Sequence, residues 1–207
     1  MQRNRKSIRL KEYDYSQNGY YFVTICTHER RNLFGEIVGA DPRVRPLTPV
    51  SFAHMILNEF GKIVDEKINE LKKYNNVDVD VYCIMPNHIH MIIHIVGAGP
   101  RACPIHDVNI SGSTQGSTPT KSSPHAKLTP TVGEYIKRLK TLTTRIYIEN
   151  VNNNHWTSFE KRLFQRNYYE RIIRNEAEYL KIKEYIRLNS FMWERDRNNP
   201  NNLKSIE

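Results

Sequence analysis

Cysteine is scarce in this chain and does not pair. Cys26, Cys83 and Cys103 are the only three, no two of them form a Cys-x-x-Cys, and any pairing leaves one over. This argues against a secreted disulfide framework and a cysteine-based zinc ribbon, and makes a reducing cytoplasm the expected compartment. Long apolar runs are missing as well: no stretch approaches the roughly 20 residues that cross a bilayer. The opening MQRNRKSIRLKEYDYS has no apolar core that would serve as a signal peptide, so no membrane partner is expected. Acid is in deficit, 22 Asp and Glu against 31 Lys and Arg, for a formal charge of +9. The surplus is clustered. Five bases and no acid fall in residues 1–11, Lys137, Arg138, Lys140 and Arg145 share one predicted helix, and more run through EKRLFQRNYYERIIR. Bases interleaved with Tyr and Phe suit a phosphate backbone and unstacked nucleobases.

The length of 207 residues suits one domain, 1–207, able to bury a core without staples. GYYFVTICT (19–27) is aromatic and β-branched and predicts a strand after the Asn18-Gly19 turn, with a shorter strand at LFGEIV. From Thr48-Pro49, the apolar residues Phe52, Met55, Ile56, Phe60, Ile63, Val64, Ile68 and Leu71 recur at three- and four-residue steps and predict a long helix to about Lys73. VDVDVYCIM (77–85) predicts a strand, and Pro86-Asn87 a turn into a second one, so that the two form a hairpin. Residues 97–130 turn to Gly, Ser, Thr and Pro and predict a surface insertion that is not expected to carry function, with a shorter insertion at about 39–48. VGAGPRACP (96–104) repeats VGADPRVRP (38–46) at six of nine positions, and nothing physical explains these GAxPR segments.

Val132, Tyr135, Ile136, Leu139, Leu142 and Ile146 trace a second helix, YYERIIR predicts a short helical piece, and Asn175 with Glu178 resembles the capping-box start of a helix to about Asn189. The order fits an α+β fold, one antiparallel sheet with helices packed on it.

The stretch PNHIHMIIHI (86–95) sets His88, His90, Ile92 and His94 on one face of its strand and Ile89, Met91, Ile93 and Ile95 on the other. His88 and His90 are side by side, close enough to share one divalent ion with positions left open. His94 or Cys83 could complete such a site, and satisfied imidazoles on a sheet surface are the plain alternative. On NEAEYLKIKEYIRLN, Tyr179, Ile182 and Ile186 form an apolar stripe, while Tyr185 and Asn189 stand one turn apart on a more polar face. If this helix packs beside the histidine strand, Asn189 adds an oxygen ligand and holds Tyr185 over a phosphate that the metal polarises, an amphipathic tyrosine at a helix edge being the plain alternative.

GYYFVTICT, MPNHIHMI, FQRNYYERIIRNEAEY and EYIRLN, in that order, resemble the REP-associated tyrosine transposases, relatives of the single-tyrosine HUH insertion-sequence transposases. The likeness spans roughly residues 5–195 apart from the insertions. It implies the ferredoxin- or RRM-like HUH endonuclease fold, His88, His90 and Asn189 on Mg²⁺ or Mn²⁺, and Tyr185 attacking single-stranded DNA at a hairpin to give a 5′-phosphotyrosine and a free 3′-hydroxyl. Because the bond energy stays in that link, no nucleotide cofactor is expected. Asn189 stands where insertion-sequence relatives often have Gln, and Ser190 where many relatives have Pro. The candidates for phosphate contact are Lys137, Arg138, Lys140, Arg145, Arg162 and Arg166; those for base stacking are Tyr168, Tyr169 and Trp156. The resemblance leaves monomer and homodimer open and implies a cytoplasmic protein that is nucleoid-associated when bound to DNA. Two other readings compete: a hairpin-binding protein of the same fold without activity, and a metallohydrolase using His88, His90 and His94.

Overall fold

The computed structural model describes residues 13–39, 53–74, 76–96 and 130–203. The basic segment 1–12 and almost all of both expected insertions lie outside the described residues. The elements are β1 (Gly19–Cys26), β2 (Gly35–Val38), β3 (His54–Leu57), α1 (Glu59–Leu71), β4 (Val77–Met85), β5 (His88–Ile95), α2 (Val132–Asn154), β6 (Tyr169–Ile173), α3 (Glu176–Leu188) and a single turn, α4 (Pro200–Leu203). Four strands form an antiparallel sheet in the order β4-β5-β1-β6, and β2 and β3 pair as a separate ribbon. This is the α+β arrangement that the sequence predicts.

Two elements depart from expectation. The first helix begins at Glu59, because Asn58 caps it: its side-chain oxygen accepts the Gly61 N–H at 2.8 Å while its amide donates to Leu33 O. His54–Leu57, read as helix, is instead extended and pairs with β2. The second correction is YYERIIR, which supplies β6 rather than a helical turn. Tyr20 to Thr24 of β1 pair with Ile173 to Tyr169, which satisfies backbone groups that would otherwise form an open sheet edge.

One sheet face packs under α1 and α2. Tyr21, Val23 and Ile25 of β1, Ile89, Met91, Ile93 and Ile95 of β5, and Val77, Val79 and Ile84 of β4 meet Val64, Ile68, Ile136 and Leu139 there. The other face carries Tyr20, Ile92 and Ile173 against Ile182 and Ile186 of α3, with Phe22, Val81, Cys83 and Tyr179 alongside. Both faces of β5 are therefore covered, and seven of its eight residues are buried. Val79 and Val81 would share a face in a regular strand, yet they lie on opposite ones because a bulge at Asp80 shifts the register. Asp80 is thereby turned toward α3. Its carboxylate accepts the Tyr179 phenol at 2.6 Å and lies 3.1 Å from the Lys183 ammonium, which fixes α3 to the sheet two turns before its C-terminus.

α1 approaches the β1–β2 connection so closely that a Cβ on Gly61 would sit 2.1 Å from Phe34 O. Gly61→Ala is expected to lower stability by about 1–3 kcal/mol through overpacking against an immovable carbonyl. Urea unfolding of both proteins checks this, and an unchanged midpoint would contradict the packing described.

Candidate metal and nucleophile site

The β1–β5 register sets Cys26 opposite His88 and Thr24 opposite His90, so both imidazoles project from the α3 face at the end of the sheet. Their rings lie 4.5 Å apart. Each is held from behind. His88 Nδ1 lies 2.9 Å from Asn87 Oδ1, and Asn87 Nδ2 donates to the carbonyls of Arg30 and Asn198 at 3.0 and 2.8 Å. Those two donations fix which end of the Asn87 amide is oxygen, so His88 Nδ1 must be the donor and Nε2 carries the lone pair. His90 Nδ1 is 2.8 Å from Thr24 Oγ1. With the threonine oxygen accepting, His90 Nε2 is left as acceptor and lies 3.2 Å from the Tyr185 phenol oxygen.

The third and fourth walls come from α3 and the chain after it. Asn189 is 1% exposed, and neither atom of its side-chain amide has a hydrogen-bond partner; His88 Nε2 is buried and unpartnered in the same way. Trp193 stacks near His88 at 6.2 Å. Asp196 follows, its Oδ1 accepting the Asn198 N–H at 2.5 Å while Oδ2 lies 3.7 Å from His88 Nε2. The ligand-type atoms of His88, His90 and Asp196 fall within 4.8 Å of one another, and this group could hold a metal ion. His88 Nε2 and Asn189 Oδ1 are buried lone pairs without donors, beside His90 Nε2 and the Asp196 carboxylate, and this donor set fits a divalent ion. The return of the chain to the histidines is held by Asn87 and by the Arg30 guanidinium, which donates to Asn198 Oδ1. Arg30 adopts φ +54°, a left-handed conformation uncommon for a residue with a side chain, while its carbonyl accepts from Asn87.

Electrostatics favours the ligating form of both imidazoles. Burial holds His88 down to about 3, the Arg30 guanidinium adding to this and Asn189 opposing it. Burial likewise holds His90 well below its usual range, with His88 and Arg197 adding to it and Asp196 opposing. Both are therefore neutral at pH 7, and the His88–Asp196 approach is not an ion pair. Burial raises the Tyr185 phenol above its ordinary value and Asp196 adds to the effect, although the ring is 45% exposed.

Of the sequence candidates, the structure brings His88, His90, Asn189 and Tyr185 together. His94 lies apart, its ring stacked on Tyr20 at 4.2 Å and its Nε2 3.2 Å from Asn18 Oδ1. α2 packs on the opposite sheet face, so Lys137, Arg138, Lys140 and Arg145 lie across the sheet from the histidines. Lys137, Arg162 and Arg166 are exposed. The Arg138 guanidinium sits over the Tyr74 ring at 4.9 Å, and Arg145 pairs with Glu149 at 2.9 Å. Lys140 is turned inward, donating to Gln165 O and Asn167 O at 2.9 and 3.2 Å, and burial holds its ammonium down to about 8. Tyr168 donates to Glu170 at 2.8 Å, Tyr169 lies beside Phe22 on the histidine face, and Trp156 packs against Phe60 and Tyr147. Sequence reasoning missed Asp196, which lies in WERDRNN outside any periodic element. It read Asn87 only as a turn residue, although the adjacent histidine is itself a signal for an orienting partner.

The buried neutral histidines make stability depend on pH. Their folded-state pKa values are depressed below 6.5, so their contribution is full above pH 6.5 and is lost as pH falls toward about 3. Urea midpoints measured from pH 8 to pH 4 should fall steadily below pH 6.5, and His88→Gln should flatten that slope.

No protein-family model matches the chain. An uncharacterized protein of Haemophilus influenzae is 32% identical to it over 197 residues, 93% of this chain and 92% of that one. Among solved structures, a REP-associated tyrosine transposase bound to a REP hairpin has a TM-score of 0.46 at 14% identity, over 88% of this chain and 72% of that chain. A candidate transposase from Deinococcus radiodurans has a TM-score of 0.39 at 13% identity, over 86% of this chain and 95% of that chain. Identity across nearly the whole length of both proteins places this chain in the same family as the Haemophilus influenzae protein.

Proposed function

We propose that the protein is a metal-dependent single-strand DNA endonuclease and strand transferase of the REP-associated tyrosine transposase kind, acting at DNA hairpins. The observation that carries this reading is the 3.2 Å approach of the Tyr185 phenol oxygen to His90 Nε2, which sets a nucleophile beside a pair of neutral imidazoles and two oxygen-bearing side chains. The sequence resemblance in the four segments around these same residues supports it. A divalent ion, Mg²⁺ or Mn²⁺, held by His88, His90 and the oxygens of Asn189 and Asp196 would draw charge from a non-bridging phosphate oxygen.

The residues of the chain supply the rest. Tyr185 is weakly nucleophilic as a free phenol and gains from being held at one place by α3, whose Asp80–Tyr179–Lys183 contacts fix its position over the sheet. Tyr185 is 45% exposed, so a strand arriving from solvent meets this side chain at the edge of the site. Asn87 and Thr24 hold the imidazoles in the tautomers that face their lone pairs inward. Attack of the phenol oxygen on phosphorus forms the 5′-phosphotyrosine bond and breaks the bond to the 3′ oxygen, and the phenol proton ends on that departing oxygen. A second 3′-hydroxyl reverses the step onto a new strand. The α2 cations, across the sheet from the site, suit the hairpin stem better than the cleaved phosphate.

The test is a denaturing gel of end-labelled single-stranded hairpins, drawn from palindromes near the gene, after incubation with wild-type or Tyr185→Phe protein. A labelled covalent adduct that needs Mn²⁺ and Tyr185 is the expected result. Binding without any adduct would leave a hairpin-binding protein, and activity that survives Tyr185→Phe but fails in His94→Ala would favour a hydrolase.

A further inference from the structure

Large apolar side chains left in solvent are few. Nine stand out among the described residues, and five of them, Leu180, Tyr185, Leu188, Phe191 and Met192, fall between positions 180 and 192. Leu188 is 49%, Phe191 52% and Met192 39% exposed. The helical path continues past α3, since the Met192 N–H donates to Leu188 O and Asn189 O at 3.1 Å. Tyr185, Leu188 and Met192 therefore follow one another at successive turns, with Phe191 beside them. The buried side of the same helix is already used by Ile182, Ile186 and Asn189. The outward strip is thus not surplus core.

What covers such a strip is indicated by its contents and its rim. It contains the Tyr185 phenol, so whatever occupies it reaches the reacting group. Around it Lys181, Arg187, Arg195 and Arg197 are exposed against the two exposed acids Glu184 and Glu194. Exposed apolar side chains inside a net positive rim match nucleobases on the strip and phosphates at its edge. A second copy of the chain would bring the same positive rim against itself, because a two-fold contact pairs like with like.

We propose that Leu188, Phe191 and Met192 form a stacking strip that seats the unpaired bases flanking the phosphate attacked by Tyr185. The proposal rests on the function proposed above and adds a substrate-positioning surface to it. The strip grips bases only where they are unstacked, so it acts on the single-stranded flank and not on the paired stem.

The experiment uses Tyr185→Phe protein, which binds without cutting, and a hairpin carrying a single-stranded flank with 2-aminopurine placed at successive positions. A blunt hairpin of the same stem is the control. The strip should alter 2-aminopurine fluorescence at one or two adjacent flank positions. Phe191→Ala and, separately, Met192→Ala should abolish that change and weaken the flanked hairpin roughly tenfold, with blunt-hairpin affinity unaltered. The thermal midpoint of each variant is measured alongside, so that a loss of fold is told apart from a loss of base contact. Equal losses on flanked and blunt hairpins, or no loss on either, would overturn the strip; adduct formation by the wild type would still stand as the separate measure of the function. A wild-type dimer that Phe191→Ala converts to monomer in sedimentation would also overturn it, assigning the strip to a second copy. Failure of the wild type both to form an adduct and to bind the flank would remove the strip and the function together.

Discussion

A strand buried on both faces cannot carry charge cheaply, and β5 is such a strand. Its Ile89, Met91, Ile93 and Ile95 lie in the core beneath α1 and α2, while His88, His90 and Ile92 are enclosed by α3 and the chain that follows it. Burial therefore decides the protonation state of the imidazoles before any partner does. Neutral rings with inward lone pairs are ready to bind a cation, and the hydrogen bonds that the rings donate to Asn87 and Thr24 determine which nitrogen faces inward. The rest of the site follows from what has to close over those rings.

Closure comes from two directions. α3 lies on the sheet through Ile182 and Ile186, and its position along the sheet is set by the Asp80 bulge, where a carboxylate displaced from the regular register meets Tyr179 and Lys183. From there α3 brings Tyr185 against His90 and, one turn on, Asn189 against His88. The chain then turns back, placing Trp193 and Asp196 against His88 and tying Asn198 to Asn87 and Arg30. Strand pairing, bulge, helix packing and the return of the chain all converge on a volume bounded by side chains from β5, α3 and the segment after it.

Much of this was legible because the two periodicities are clean where they matter. Alternation in 88–95 separated the histidine face from the core face, and the steps of α3 put Tyr185 and Asn189 one turn apart. YYERIIR was misread because a five-residue strand is too short for period two to be told from a helical turn; its partner β1, almost 150 residues earlier, decides the matter. The start of α1 was set too early because Met55 and Ile56 fit a helical stripe, whereas Asn58 and pairing with β2 end that reading. Asp196 could not be seen because it joins the site through the backbone path after α3 and not through any repeat. Charge in a sequence does not show which way a flexible side chain turns, and Lys140, a candidate for phosphate contact, turns to the carbonyls of Gln165 and Asn167.

The covered face of β5, with α3 and the chain beyond it, gathers a group of side chains that could hold a cation. A crystal grown with Mn²⁺ and measured for anomalous scattering tests it most directly. One strong peak within bonding distance of both His88 Nε2 and His90 Nε2 is expected, with an Asn189 or Asp196 oxygen in its coordination sphere. No peak there at saturating Mn²⁺, or one that includes His94 and leaves His88 out, would contradict it.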